Sequence, residues 1–161
     1  MADTFPNIVP TGFAGNYTDF SKAKVDRSGA VRRLSGSVSV PASTATDAII
    51  GLFPFTAGMS LASLSGYNVY SADLDSSTNV TLDWGVQYQN TTEGTTNLTL
   101  ITAASTAPQS SGFVAPTATT WMDYVTTGNG WVVVQVNAAT TTTGSITFNV
   151  PVTYDQPPLV A

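Results

Sequence analysis

The stretch Asn79–Gln89, NVTLDWGVQYQ, decides the fold. Val80, Leu82, Trp84, Val86 and Tyr88 alternate with Thr81, Asp83, Gly85, Gln87 and Gln89. A period of two sets the apolar side chains on one face of a pleated strand and the polar ones on the other, whereas a helix would scatter them around its circumference. Ser145–Tyr154, SITFNVPVTY, repeats the device with Ile146, Phe148, Val150, Val152 and Tyr154. Pro151 lacks the N–H that a ladder uses, which points to a sheet edge or a bulge.

Working outward, GSVSVPA, DAIIGLF, GYNVYSA, TNLTLITA, TWMDYVTT and WVVVQV read as further strands. Thr126–Trp131, TTGNGW, places Asn129-Gly130 where a tight hairpin needs positive φ. Gly58–Gly66, GMSLASLSG, reads as a short helical turn, and Thr140–Thr143 as a small threonine loop. Eight strands without a long helix predict an all-β chain folded as a single β-sandwich. That count favours a jelly-roll-like arrangement, and the Cys–Trp–Cys landmark of immunoglobulin domains is absent.

Composition agrees. The chain has 26 Thr and 16 Ser among 161 residues, while charged residues make up 9%, against about 25% in ordinary globular proteins. β-branched Thr suits a half-exposed strand and discourages helix. The length fits one domain with a real core.

The inventory also excludes much chemistry. With no Cys and no His, neither a disulfide framework, a Ser-His-Asp or Cys-His arrangement, nor a conventional zinc set can form. Ten acids leave a pair of glycosidase-type carboxylates formally available, but no pair stands out, so no catalytic residue is assigned and the chain reads as non-enzymatic. The glycines form no phosphate-cradling loop, and no cofactor is expected. Asp73–Asn79, DLDSSTN, spaces its oxygens like a calcium loop, yet Thr78 and Trp84 stand where glycine and glutamate would be needed. It reads as a capped turn, and no metal site is expected. Sequons occur at Asn16, Asn79, Asn90 and Asn97, where abundant Thr generates them by chance. Trp84 belongs to the alternating core set. Trp121, Trp131 and Tyr124 flank the expected hairpin and are candidates for stacking on a glycan, although a core or subunit-interface role is the reading preferred for the two tryptophans.

Charge is distributed unevenly. All five cations, Lys22, Lys24, Arg27, Arg32 and Arg33, fall within twelve consecutive positions, and the 128 residues that follow hold seven acids and no base. Residues Met1–Leu34 show no period and carry Pro6, Pro10, Gly12, Gly15 and Gly29 among the aromatics Phe5, Phe13, Tyr17 and Phe20. They read as an extended N-terminal arm with a basic attachment segment, and residues 35–161 as the β-sandwich body. The arm's aromatics either lie on another surface or tuck into the domain's own core. The cations could grip nucleic acid by counterion release, but a net charge of −5 opposes that. They could be a solvated run, or they could dock on an acidic protein surface, and docking is the reading adopted, with Phe13 and Phe20 beside them. The N-terminus has no signal-like apolar run, and the longest apolar tract, Ala48–Phe55, is too short for a bilayer. No membrane partner is expected, and synthesis as a soluble cytosolic chain is.

The body, opening SGSVSVPASTATDAIIGLFPFTAGMS and closing TTTTGSITFNVPVTY, resembles the small Thr/Ser-rich β-sandwich proteins of tailed-bacteriophage particles, above all capsid decoration (cement) proteins. The resemblance extends in character over most of Ser35–Tyr154 and rests on style, size and the arm-plus-body layout. It implies a homotrimer seated on the outer surface of an icosahedral head and bridging subunits of the major capsid protein. Lys22, Lys24, Arg27, Arg32, Arg33, Phe13 and Phe20 would then make the capsid contact. The rival is a phage fibre or tail module that binds host glycan through Trp121, Trp131 or Tyr124.

Overall fold

Alternating apolar residues build nine strands in the computed structural model, which describes residues 6–9, 32–61, 66–76 and 79–154. They are β1 Arg32–Val40, β2 Ile49–Phe55, β3 Met59–Ser60, β4 Asn68–Ser71, β5 Thr81–Tyr88, β6 Asn97–Ser105, β7 Gly112–Phe113, β8 Gly130–Asn137 and β9 Gly144–Tyr154, with a 3-10 turn at Ala107–Gln109. One sheet has the order β1-β9-β4-β7, with β3 beside the end of β9, and the other has the order β2-β8-β5-β6.

Four antiparallel pairs explain this order: β1 with β9, β2 with β8, β4 with β7, and β5 with β6. The chain behaves as one long ribbon folded back on itself, first strand against last, which then rolls up so that successive pairs alternate between two sheets. Leaving aside the two-residue β3, eight strands wound in this way are a jelly roll. The expected β-sandwich is therefore what forms.

The core follows the alternation. Leu82, Trp84, Val86 and Tyr88 of β5, Val132, Val134 and Val136 of β8, and Ile146, Phe148, Val150 and Val152 of β9 are buried between the sheets. Phe53 meets Phe148 with ring centroids 5.7 Å apart. Pro151 lies opposite Arg33, between the part of β9 that pairs with β4 and the part that pairs with β3.

The second sheet departs from the expected pattern because its outward face is also covered. Asp83, Gly85 and Gln87 of β5 and Trp131 and Val133 of β8 are all buried. Against β5, Trp84 pairs with Thr102 but Val86 pairs with Asn97, so β6 bulges between them. The bulge brings backbone across Gly85, where an added Cβ would stand 2.1 Å from the Asn97 carbonyl oxygen. Ala104 takes a left-handed φ of 51°, and its N–H donates to Asp83 Oδ1 at 2.7 Å. An outward-facing acid on a strand is thus consumed in holding a bulge. Gly85→Ala is expected to destabilise the fold by about 1–3 kcal/mol, because backbone rather than a flexible side chain must yield. Urea denaturation of both proteins measures it, and an unchanged midpoint would contradict the packing described.

Two sequence readings are corrected. TWMDYVTT is no strand: Met122 and Tyr124 donate backbone bonds to Thr119 and Trp121, three residues back, as turns do. Its pairing with a strand is confined to its end, where Val125 bridges Ser60 and Thr126 N–H donates to the Met59 carbonyl at 2.9 Å. Apolar residues at Trp121, Met122, Tyr124 and Val125 mimic a strand in composition without alternating. Asn129-Gly130 is no hairpin either, because the neighbours of β8 are β2 and β5. Gly130 lies in the ladder opposite Tyr88 and Phe55, and a Cβ there would meet the Phe55 ring at 2.5 Å. In GMSLASLSG, Met59–Ser60 form β3, and residues 62–65 lie outside the described residues. The threonine loop is pinned rather than loose, with Thr141 Oγ1 donating to the Pro41 carbonyl at 2.8 Å.

Candidate partner-binding surface

Of the expected attachment residues, Lys22, Lys24, Arg27, Phe13 and Phe20 lie outside the described residues. Arg32 opens β1. Arg33 is exposed, and its Nη1 donates to Asn149 Oδ1 at 3.2 Å.

The segment read as an arm meets the body at both ends. Asn7 N–H donates to the Ile49 carbonyl at 2.7 Å and Gly51 N–H donates to the Ile8 carbonyl at 2.7 Å, while Asn7 Oδ1 accepts from Ile49 N–H at 2.7 Å. Ile8 thereby bridges Ile50 in parallel and covers the edge of β2, which an unprotected strand would leave open to another chain. At the other end, Arg32–Leu34 are the first residues of β1. The basic run is thus carried directly into the first sheet.

The outward face of that first sheet is the broad open surface. Odd positions of β1, namely Arg33, Ser35, Ser37 and Ser39, point outward and are exposed. Register places Ser37 opposite Thr147, Thr147 opposite Tyr70, and Tyr70 opposite Phe113, one row across all four strands. Tyr70 and Phe113 are 40% and 63% exposed, in edge-to-face contact with centroids 5.4 Å apart. Arg33 lies toward one margin, the aromatic pair toward the other, and uncharged hydroxyl and amide groups between them. Sequence reasoning did not single out Tyr70 or Phe113, although parity held the signal: each neighbours a buried valine, Val69 or Val114, so each must face the other way.

The glycan-stacking candidates are placed differently. Trp121 and Trp131 are 5% and 1% exposed, so neither presents the open ring face that a sugar requires, and the stacking candidacy of both is corrected in favour of the buried role preferred for them. Trp121 belongs to the core cluster, and the Trp131 ring lies against Gly51 of β2. Tyr124 is half-buried, with its hydroxyl 2.8 Å from that of Tyr88. Tyr88 in turn accepts from Thr127 N–H at 3.1 Å, and Glu93 Oε2 accepts from Asn129 N–H at 2.9 Å. These groups fasten two loops together.

Burial, then the hydrogen bond and proximity of the Tyr88 hydroxyl, push the Tyr124 phenol well above the ordinary tyrosine range, and burial raises Tyr67. A raised folded value means that the unfolded chain loses these protons first. The contribution to stability is therefore full below about pH 10 and declines as pH rises beyond it. Tyr124→Phe is expected to flatten this alkaline decline in thermal melts taken from about pH 8 to pH 11.5. A slope as steep as that of the parent would contradict the role of Tyr124.

No group of three or more potential metal ligands occurs among the described residues. Asp75 instead accepts from the backbone N–H groups of Asn79 and Val80, the capped turn expected for Asp73–Asn79.

No family model matches the chain, and no curated protein matches its sequence. Solved structures do share its fold. A chain from the capsid of Ralstonia phage GP4 is 19% identical with a TM-score of 0.59, over 83% of this chain and 90% of that one. A chain from the capsid asymmetric unit of cyanophage Pam1 is 26% identical with a TM-score of 0.56, over 87% of this chain and 99% of that one. Since nearly all of each neighbour lies within the match, each is itself a chain of about this size. The jelly roll described above is one that occurs as a separate small chain in phage capsids.

Proposed function

We propose that this chain is a non-enzymatic structural protein of a tailed-phage virion, a capsid decoration (cement) protein on the outer surface of the head. It acts there as a homotrimer that bridges neighbouring subunits of the major capsid protein. The observation that carries this reading is the likeness to the Pam1 capsid chain, which covers 99% of that chain. A match confined to part of a large shell subunit would argue for a shell-forming domain, whereas a match to a whole small chain favours an accessory one.

Attachment is assigned to Lys22, Lys24, Arg27, Arg32 and Arg33, with Phe13 and Phe20 as apolar anchors. Exposed ion pairs contribute only about 0–1 kcal/mol each, so one copy would hold weakly. Three copies held together bind in concert and raise avidity roughly 100-fold or more without any new kind of contact. The acidic remainder of the chain keeps decorated particles apart.

Purified heads lacking the chain, mixed with the protein and sedimented, test the reading. Saturable binding together with a higher temperature of head disruption is expected. Binding to isolated tails but not to heads would overturn it in favour of the fibre or tail reading.

A further inference from the structure

We infer that copies of this chain associate through the outward face of the β1-β9-β4-β7 sheet, with Tyr70 and Phe113 as the anchoring contacts. This deepens the self-association in the proposed function and rests on it.

A chain with a net charge of −5 can meet its own copy only where acids do not face acids. The described acids are all elsewhere. Asp47 lies between β1 and β2 and accepts from Gln135 of the second sheet. Asp73 and Asp75 lie between β4 and β5, Glu93 between β5 and β6, and Asp123 between β7 and β8. Asp83 faces outward on the second sheet, where it holds Ala104. The first sheet's outward face carries no described acid, and Arg33 is its one described charge.

What the face does carry suits a second copy. Serine and threonine hydroxyls and asparagine amides both donate and accept, so different parts of such a surface pair with one another, as the head-to-tail contacts of a trimer require. Charged residues are depleted and tyrosine and phenylalanine enriched at the centres of protein contacts. Phe113 is the most exposed large apolar residue described, and Tyr70 stands against it. The other exposed apolar residues, Met122 and Val125, flank Asp123, so a self-contact there would bring like charges together. A neutral glycan is the weaker occupant, because the two rings are inclined at 75° and form no common platform.

Sedimentation velocity of the full chain tests this with three variants: Tyr70→Ser/Phe113→Ser, Thr147→Arg in the middle of the row, and Met122→Ser as a control. All change exposed residues, and circular dichroism melts check that each folds. The parent and Met122→Ser are expected to form the same oligomer, and the other two to dissociate at least roughly 30-fold more readily, as loss of anchoring residues does. If both face variants oligomerise like the parent, this inference falls while the trimer reading stands. If the parent is monomeric in solution and on heads, both fall. If the face variants keep the oligomer but lose binding to heads or to a glycan array, the face belongs to that partner and the inference is overturned.

Discussion

Trp84→Ala is expected to destabilise the protein by about 3–5 kcal/mol, the usual result of truncating a fully buried tryptophan. For a chain of this length that lowers the melting temperature by roughly 6–20 °C. Trp84 is fully buried in β5, between Val134 of β8 and Thr102 of β6 in register. Its ring meets Tyr67 edge-on at 5.1 Å. No single relaxation can fill so large a void between two sheets. Trp84→Phe should cost less than half as much, because the indole N–H has no acceptor among the described residues and its removal relieves an unmet donor. Calorimetry of the two variants decides, and equal costs would mean that a contact specific to the indole, and not the void, governs the site.

Changing Arg27, Arg32 and Arg33 together to Glu is expected to abolish attachment to heads. Three attractions become three repulsions on each copy, and the effect multiplies across an oligomer. The fold should tolerate the change, because Arg33 is exposed and its described bond, to Asn149, is an exposed one. Triple Lys separates two kinds of contact: it restores binding where the field is diffuse and fails where a guanidinium grips a carboxylate with both nitrogens. Parent occupancy should fall with salt, since exposed pairs are screened over about 8–10 Å near physiological ionic strength. Occupancy on purified heads across a salt series measures all three proteins. Undiminished binding of the triple Glu protein would move attachment to the sandwich itself.

How far the sequence reveals this molecule depends on which forces leave a local signature. Burial against one facing sheet leaves a period of two, so Leu82, Trp84, Val86, Ile146, Phe148 and Val150 could be assigned to the core by counting. Burial by distant segments leaves none. Nothing in NVTLDWGVQYQ says that the backbone of Asn97 and Leu98 will lie over Gly85, or that Asp83 will be occupied by Ala104. Asn129-Gly130 misled for a related reason: glycine serves close approach as well as positive φ, and only the position of Phe55 tells which. Tyr70 and Phe113 are far apart in sequence, and their meeting depends on pairing between β4 and β7, a consequence of topology. The basic run, by contrast, was legible as a charge pattern, and its continuation into β1 at Arg32 is what the fold adds.

The most direct test of the decoration role is to image heads assembled with and without this protein by electron cryomicroscopy. The expected result is extra density on the outer surface of the decorated heads, into which the jelly roll fits as a cluster of three copies spanning the boundaries between shell subunits. Density at the tail alone, or heads that look the same with and without the protein, would contradict it.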